Sequence, residues 1–296
     1  MSDFILSCCS TVDLTEEILK ERNIHYIPFH YILGDKEYVD DLGKTIPFDQ
    51  FYKAMEEGAM TKTSQVSVGE YIERFTKILE QGKDILHVTL STGISGTYNS
   101  ALTASNMLHE KFPDRKIYIV DSKGASSGYG LFMDKLADLR DEGKSIDEIR
   151  AFAEDNKLRV NHWFFSTDLK YYVRGGRISK TSGFFGSLLK ICPLLNMDED
   201  GRLIPREKIR TIKKVEDAIY QKMVENADNG LDYDGKVFIS ESNCMDYAKA
   251  VSDKIEANFK HIQGGKVQIF SIGTTIGAHT GPGTVALFFW GKKRSN

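Results

Sequence analysis

Near its C-terminal end the chain carries Ala278-His279-Thr280-Gly281-Pro282-Gly283, followed at once by the apolar run Thr284–Trp290. An imidazole and a hydroxyl are thereby set on a Gly/Pro turn at the mouth of a strand. Pro282 and its flanking glycines select a backbone that few other residues adopt. Two further segments share this character. Thr61-Lys62-Thr63-Ser64-Gln65-Val66-Ser67 concentrates hydroxyls just ahead of a helix. Ser91-Thr92-Gly93-Ile94-Ser95-Gly96-Thr97-Tyr98-Asn99-Ser100 is a Gly/Ser/Thr loop between a strand and a helix. Together the three segments read as a site where neutral donors hold a small anionic group.

Each segment taken singly has a plainer reading. Ser and Thr are preferred helix N-caps, and a lone histidine often bonds a neighbouring carbonyl. The Ser91–Ser95 loop lacks the Gly-Lys-Ser/Thr ending of a phosphate loop, which argues against a nucleotide. A serine esterase, with Ser95 as nucleophile, His279 as base and Asp121 as orienting acid, stands as an alternative. It is weakened because Thr97 occupies the place of the last glycine in a GxSxG elbow. No HExxH and no Cys/His ligand spacing points to a metal. In Lys170–Ser179, Gly175-Gly176 ends a short helix, and Arg177 reads as a residue that pairs with the opposite domain or reaches the ligand.

The elements that must position these groups alternate in the first half. Strands are expected at 4–8, 24–29, 84–90 and 116–121, with helices at 15–22, 47–57, 97–111 and 127–142. Gly34-Asp35 marks a hairpin within 31–39. Ser67/Glu70 and Ser145/Glu148 are capping boxes that open helices. This rhythm predicts a mostly parallel sheet with helices on both faces. In such sheets ligands sit beyond the carboxyl ends of the strands, where helix N-termini present free N–H groups. The second half reads differently. Strands at 161–167, 193–197, 202–208, 236–240, 267–271 and 284–290, with a hairpin at Asp198-Glu199-Asp200-Gly201, predict an α+β domain with antiparallel pairing. The boundary is placed near residue 160, giving domains 1–159 and 160–296. Phe184, Phe185, Leu188, Leu189 and Ile191 are candidate walls for an apolar ligand.

Composition bounds the partners. A chain of 296 residues with 41% hydrophobic content can build real cores. Its net charge of −3 argues against general nucleic-acid binding. The basic tail Lys292-Lys293-Arg294 reads as a solvated terminus. Cys8, Cys9, Cys192 and Cys244 form no CxxC pair and read as reduced thiols. No signal peptide and no bilayer-spanning run is visible. The expectation is a soluble cytoplasmic protein.

The ordered set of motifs resembles the DegV family of bacterial fatty-acid-binding proteins. The matching stretches are Ser10-Thr11-Val12-Asp13-Leu14, Thr63-Ser64-Gln65, Ser91–Ser100, Val120–Ser126, Tyr171–Ser179 and His279–Gly283. The resemblance implies a two-domain DegV-like fold with one long-chain fatty acid in a tunnel between the domains. It implies that the carboxylate is held at Thr63, Ser64, Ser95, Gly96, His279 and Thr280, with Arg177 a further candidate ligand-binding residue. It implies no cofactor, and a carrier that presents the carboxylate to a separate ATP-dependent fatty acid kinase, which makes an acyl phosphate. Two departures stand out. Cys9 precedes Ser10 where the family usually has aspartate, and Val66 stands where proline often follows Thr-Ser-Gln.

Overall fold

The chain opens with strand β1 (Phe4–Cys9), crosses through helix α1 (Glu16–Glu21) and returns beside β1 as β2 (Ile24–Ile27), in parallel. β3 (His30–Leu33) and β4 (Lys36–Val39) then form the expected hairpin, with Gly34 at φ +62° in its turn. Helix α2 (Phe48–Glu56) leads to β5 (Thr61–Ser64), which pairs antiparallel with β3. The capping box of Ser67 and Glu70 starts α3 (Val68–Leu79). β6 (Asp84–Thr89), α4 (Thr97–Lys111), β7 (Ile117–Asp121), α5 (Ser126–Asp141) and α6 (Ile146–Asn156) complete the alternation, α6 opening on the second capping box. The resulting sheet has the order β2-β1-β6-β7 and is parallel throughout.

The second half builds a six-stranded sheet from β8 (Val160–Ser166), β9 (Cys192–Met197), β10 (Leu203–Ile209), β11 (Phe238–Glu241), β12 (Gln268–Ser271) and β13 (Thr284–Trp290). Its order is β10-β9-β8-β13-β11-β12, antiparallel except for the β11–β12 pair. Helices α7 (Lys170–Arg174), α8 (Ile212–Asn226), α9 (Met245–Asn258) and α10 (Thr274–Thr280) lie between these strands in the chain. The structure describes residues 4–179 and 191–295. The helix expected at 180–190, with Phe184, Phe185, Leu188 and Leu189, lies outside the described residues.

Helix α5 joins the two sheets. It is buried along almost its whole length, from Ser126 to Arg140, and packs on β8, β11 and β13. A helix covered on all sides must be largely small or apolar, and this one carries glycine where approach is closest. A Cβ on Gly128 would lie 2.4 Å from His162 Nε2 and 2.4 Å from the Phe288 ring. One continuous core therefore runs from Leu6, Val88 and Val120 through Phe132 to Phe164 and Phe288. Burial of each such side chain stabilises the fold by about 1.5–3 kcal/mol.

Thr63 and Ser64 lie just upstream of the α3 N-cap Ser67, as expected, and do so within strand β5, stabilised by pairing to β3. Two expectations are corrected. His279 was expected on the Gly/Pro turn itself, yet it occupies the last turn of α10, which Gly281 terminates at φ +70°. The C-terminal arginine is not solvated. Arg294 is only 7% exposed, and its guanidinium donates to the carbonyls of Asp198 (3.0 Å) and Lys123 (2.7 Å).

Candidate functional site

The face of the six-stranded sheet turned toward α5 and α10 floors a pocket. Its register is read from β8 and β13, where Ser166 faces Thr284, Phe164 faces Ala286 and His162 faces Phe288. Thr284, Ala286, Phe288, Phe164 and His162 line the space from below. Phe29, Leu90 and Ile94 line it from the first half, and Ile272, Thr275 and Ile276 from the segment around α10. The pocket, with its mouth, encloses about 720 Å³ between atoms. Its lining is mostly apolar with few polar groups, as in ordinary small-molecule sites.

The polar groups converge through three separate elements. Thr63 comes from β5, which is pinned to α10 because Thr61 Oγ1 donates to the Ala278 carbonyl at 3.1 Å. His279 comes from α10. Arg177 follows the Gly175-Gly176 break after α7. Gly175 is required there, since a Cβ would lie 2.3 Å from His279 Nδ1. Arg177 Nη1 donates to His279 Nδ1 at 3.2 Å and to the Gly175 carbonyl at 2.6 Å, while Nη2 reaches the Ile94 carbonyl at 3.2 Å. Thr63 Oγ1 stands 2.7 Å from His279 Nε2.

These contacts fix the protons. A guanidinium can only donate, so Nδ1 of His279 accepts and Nε2 carries the hydrogen. Burial, with the nearby positive charges of Arg177 and Arg174, pushes the imidazole down to about 3, so it is neutral at physiological pH. Nε2–H then donates to Thr63 Oγ1. The threonine's own hydrogen is left to donate to a ligand. Ser95 lines the same pocket, and its Oγ accepts from the Thr97 N–H at 3.2 Å, which leaves its hydrogen free in the same way. Two neutral hydroxyl donors thus face a partly apolar space, an arrangement suited to an anion that must be held without a tight ion pair.

Of the seven expected site residues, Thr63, Ser95, Arg177, His279 and Thr280 line the pocket. Ser64 and Gly96 are exposed and lie outside its lining. Ser64 alternates away from Thr63 along β5. Gly96 is the N-cap of α4 and packs against Gln65, whose Oε1 would lie 2.8 Å from an added Cβ.

The serine-hydrolase constellation is not assembled. Both nitrogens of His279 are engaged, by Thr63 and Arg177. Asp121 accepts instead from Thr92 Oγ1 (2.6 Å) and the Lys123 N–H (2.9 Å). Among the described residues no group of three or more His, Cys, Asp or Glu could hold a metal ion.

Sequence reasoning missed a buried acidic support behind the pocket. Ser126, at φ +54°, lines the pocket and donates to Asp13 Oδ2 at 2.5 Å. Asp40 accepts from Thr274 (2.9 Å), Thr275 (2.6 Å) and Ser10 (3.0 Å), which anchors the start of α10. Burial raises the pKa of both carboxyls. Asp40 lay in no motif, and only its position after a strand could have marked it. Cys9 is distinct from this support. Its thiol is buried beside Tyr71 Oη (3.3 Å) and His87 Nε2 (3.7 Å), away from the pocket lining, and burial pushes it up to about 12.

Comparisons with known proteins agree with one another. The family model described as an uncharacterised protein of the DegV family matches residues 9–292. A DegV domain-containing protein of Clostridium perfringens is 35% identical over 291 residues, covering 98% of each chain. A solved DegV lipid-binding protein from Thermotoga maritima superposes with a TM-score of 0.84 at 27% identity, covering 100% of both chains. The solved DegV of Bacillus subtilis, a fatty acid binding protein, gives 0.83 at 27% identity, over 99% of this chain and 100% of that one.

Proposed function

The chain belongs to the DegV family, and from that membership we propose that it binds one long-chain fatty acid and presents its carboxylate to a separate ATP-dependent kinase. The protein is a binding protein, and the chemistry on the bound acid belongs to the partner. The head group lies at Thr63, Ser95 and His279, and the tail occupies the pocket between the halves 1–159 and 160–296. The observation that carries this reading is the Arg177–His279–Thr63 chain at the edge of an apolar pocket. It directs a neutral donor at the head and leaves the tail in a water-poor space.

The energetics fit a carrier. Each buried methylene contributes about 0.8 kcal/mol, so a tail of about sixteen carbons offers on the order of 10 kcal/mol gross. Lost ligand freedom offsets much of it. The tail supplies affinity and the head supplies orientation. No helix among the described residues is long and apolar enough to cross a membrane. The proposal places the protein in the bacterial cytoplasm.

The test is extraction of the recombinant protein under denaturing conditions, followed by mass spectrometry. One fatty acid per chain is expected. A lipid-free protein that also takes up neither labelled palmitate nor oleate would refute the reading.

A further inference from the structure

The strand register gives the pocket a measurable depth. His279 enters the floor through the Gly281–Gly283 turn at Thr284, so the row Thr284/Ser166 is nearest the head. The next row is Ala286/Phe164, and the third is Phe288/His162. Two steps of two residues carry the third row about 14 Å along the strands from the first. The third row also supplies the most lining residues. β8 and β9 pair Trp163 with Asn196, and one further position in that register sets Met197 beside His162. Leu203 on β10 pairs with Met197. Phe288, His162, Met197 and Leu203 all line the pocket. They form one wall across four adjacent strands.

That wall has no slack. The rings of His162 and Phe288 meet edge to face at 5.1 Å between centroids. Behind them, Gly124 and Gly128 admit nothing larger. Added Cβ atoms would stand 2.9 Å and 2.4 Å from His162 Nε2. The imidazole is also committed on both sides. Nδ1 faces the Val160 carbonyl at 3.0 Å, and Nε2 accepts from the Ala125 N–H at 3.3 Å. It therefore offers the pocket only ring carbons, held in a fixed plane. By contrast the middle row is narrowed from one side only, because Ala286 carries a single methyl beside Phe164.

We propose that His162, backed by Phe288, is the stop that sets the longest acyl chain this protein accepts. This rests on the fatty-acid reading above and adds the residue that makes that site selective. A chain that reaches the third row meets a wall fixed by hydrogen bonds and by two glycines. A longer chain would have to bend back over Ala286 or leave its head out of reach of Thr63.

The test uses the delipidated full chain and an equimolar series of straight-chain saturated acids from dodecanoic to docosanoic. Retained acids are measured by mass spectrometry after gel filtration. For His162→Ala the retained ratio of eicosanoic to palmitic acid should rise about tenfold, the worth of two further buried methylenes. Phe288→Leu, a milder change, should move the ratio the same way. Ala286→Val should move it toward shorter acids. If His162→Ala fails to fold, the other two variants decide. Folded variants that keep the wild-type distribution would overturn the stop while leaving the fatty-acid reading intact. A wild-type chain that retains none of the series would overturn both.

Discussion

Thr63 Oγ1 and His279 Nε2 lie 2.7 Å apart although 216 residues separate them in sequence. The contact joins the edge strand of a small antiparallel sheet to the last turn of a seven-residue helix. Arg177, on the other side of the imidazole, decides its direction: His279 donates and Thr63 accepts. A hydroxyl held in this way keeps its own hydrogen available to donate into the pocket.

The first prediction concerns His279→Ala. The tail supplies most of the binding energy, so fatty-acid retention should stay near wild type. Acyl-phosphate formation with a cognate kinase and ATP should fall by about a hundredfold, because small errors of orientation are costly in rate. Normal phosphorylation by the folded variant would remove His279 from the site.

A second prediction separates donor from nucleophile at Ser95. Ser95→Ala removes one hydrogen bond to a charged head and should weaken fatty-acid binding by about 1.5–3 kcal/mol. Equilibrium competition with a fluorescent fatty acid measures the change. A serine-linked acyl group detected on the unmodified protein would contradict the donor role.

The third prediction is a pH dependence of stability. Burial holds His87 at about 3, and burial with Arg177 and Arg174 holds His279 at about 3. Unfolded, each titrates near 6.5. Between about pH 6.5 and 3 the unfolded chain binds protons that these rings refuse in the fold, so their contribution falls as pH drops. Asp13 and Asp40, raised by burial, act with the opposite sign: their contribution is complete in acid and is lost as pH rises through their folded values. Urea midpoints measured across this range should show a shallower acid loss for His279→Gln than for wild type. An unchanged slope would mean the imidazole is not held neutral.

A fourth prediction follows from the buried tail. Arg294→Ala removes two charge-assisted bonds to backbone carbonyls and should lower stability by about 1–3 kcal/mol. That corresponds to a melting shift of several degrees. Lys293→Ala, at an exposed neighbour, should stay within about 0.5 kcal/mol. Equal effects would show that Arg294 does no more than its neighbour.

The parallel half was legible because its signals are local: apolar runs of strand length, two capping boxes and a Gly34-Asp35 turn. The backbone of the turn after His279 was legible for the same reason, since Gly281 and Gly283 do adopt positive φ, at +70° and +84°. What escaped depends on distant partners. Thr61–Ser64 has no apolar face, and becomes a strand only through pairing with His30–Leu33. The α10 segment, Thr274-Thr275-Ile276-Gly277, is poor in helix formers. It is held by Asp40 at its start and by close packing of Gly277 against Tyr52, whose Oη would stand 2.4 Å from an added Cβ. Arg294 reads as solvated in a basic tail, because its two carbonyl partners belong to turns far away in the chain. Ser64 and Gly96 sit in the right motifs, but alternation along a strand and the cap of a helix turn them outward.

The most direct measurement is a crystal structure of the protein with a bound straight-chain fatty acid. The account predicts one acid per chain, its carboxylate within about 3.2 Å of Thr63 Oγ1 and Ser95 Oγ and its tail running over Ala286 toward Phe288. A carboxylate found at the His162 end, or an acid bound outside this pocket, would contradict it.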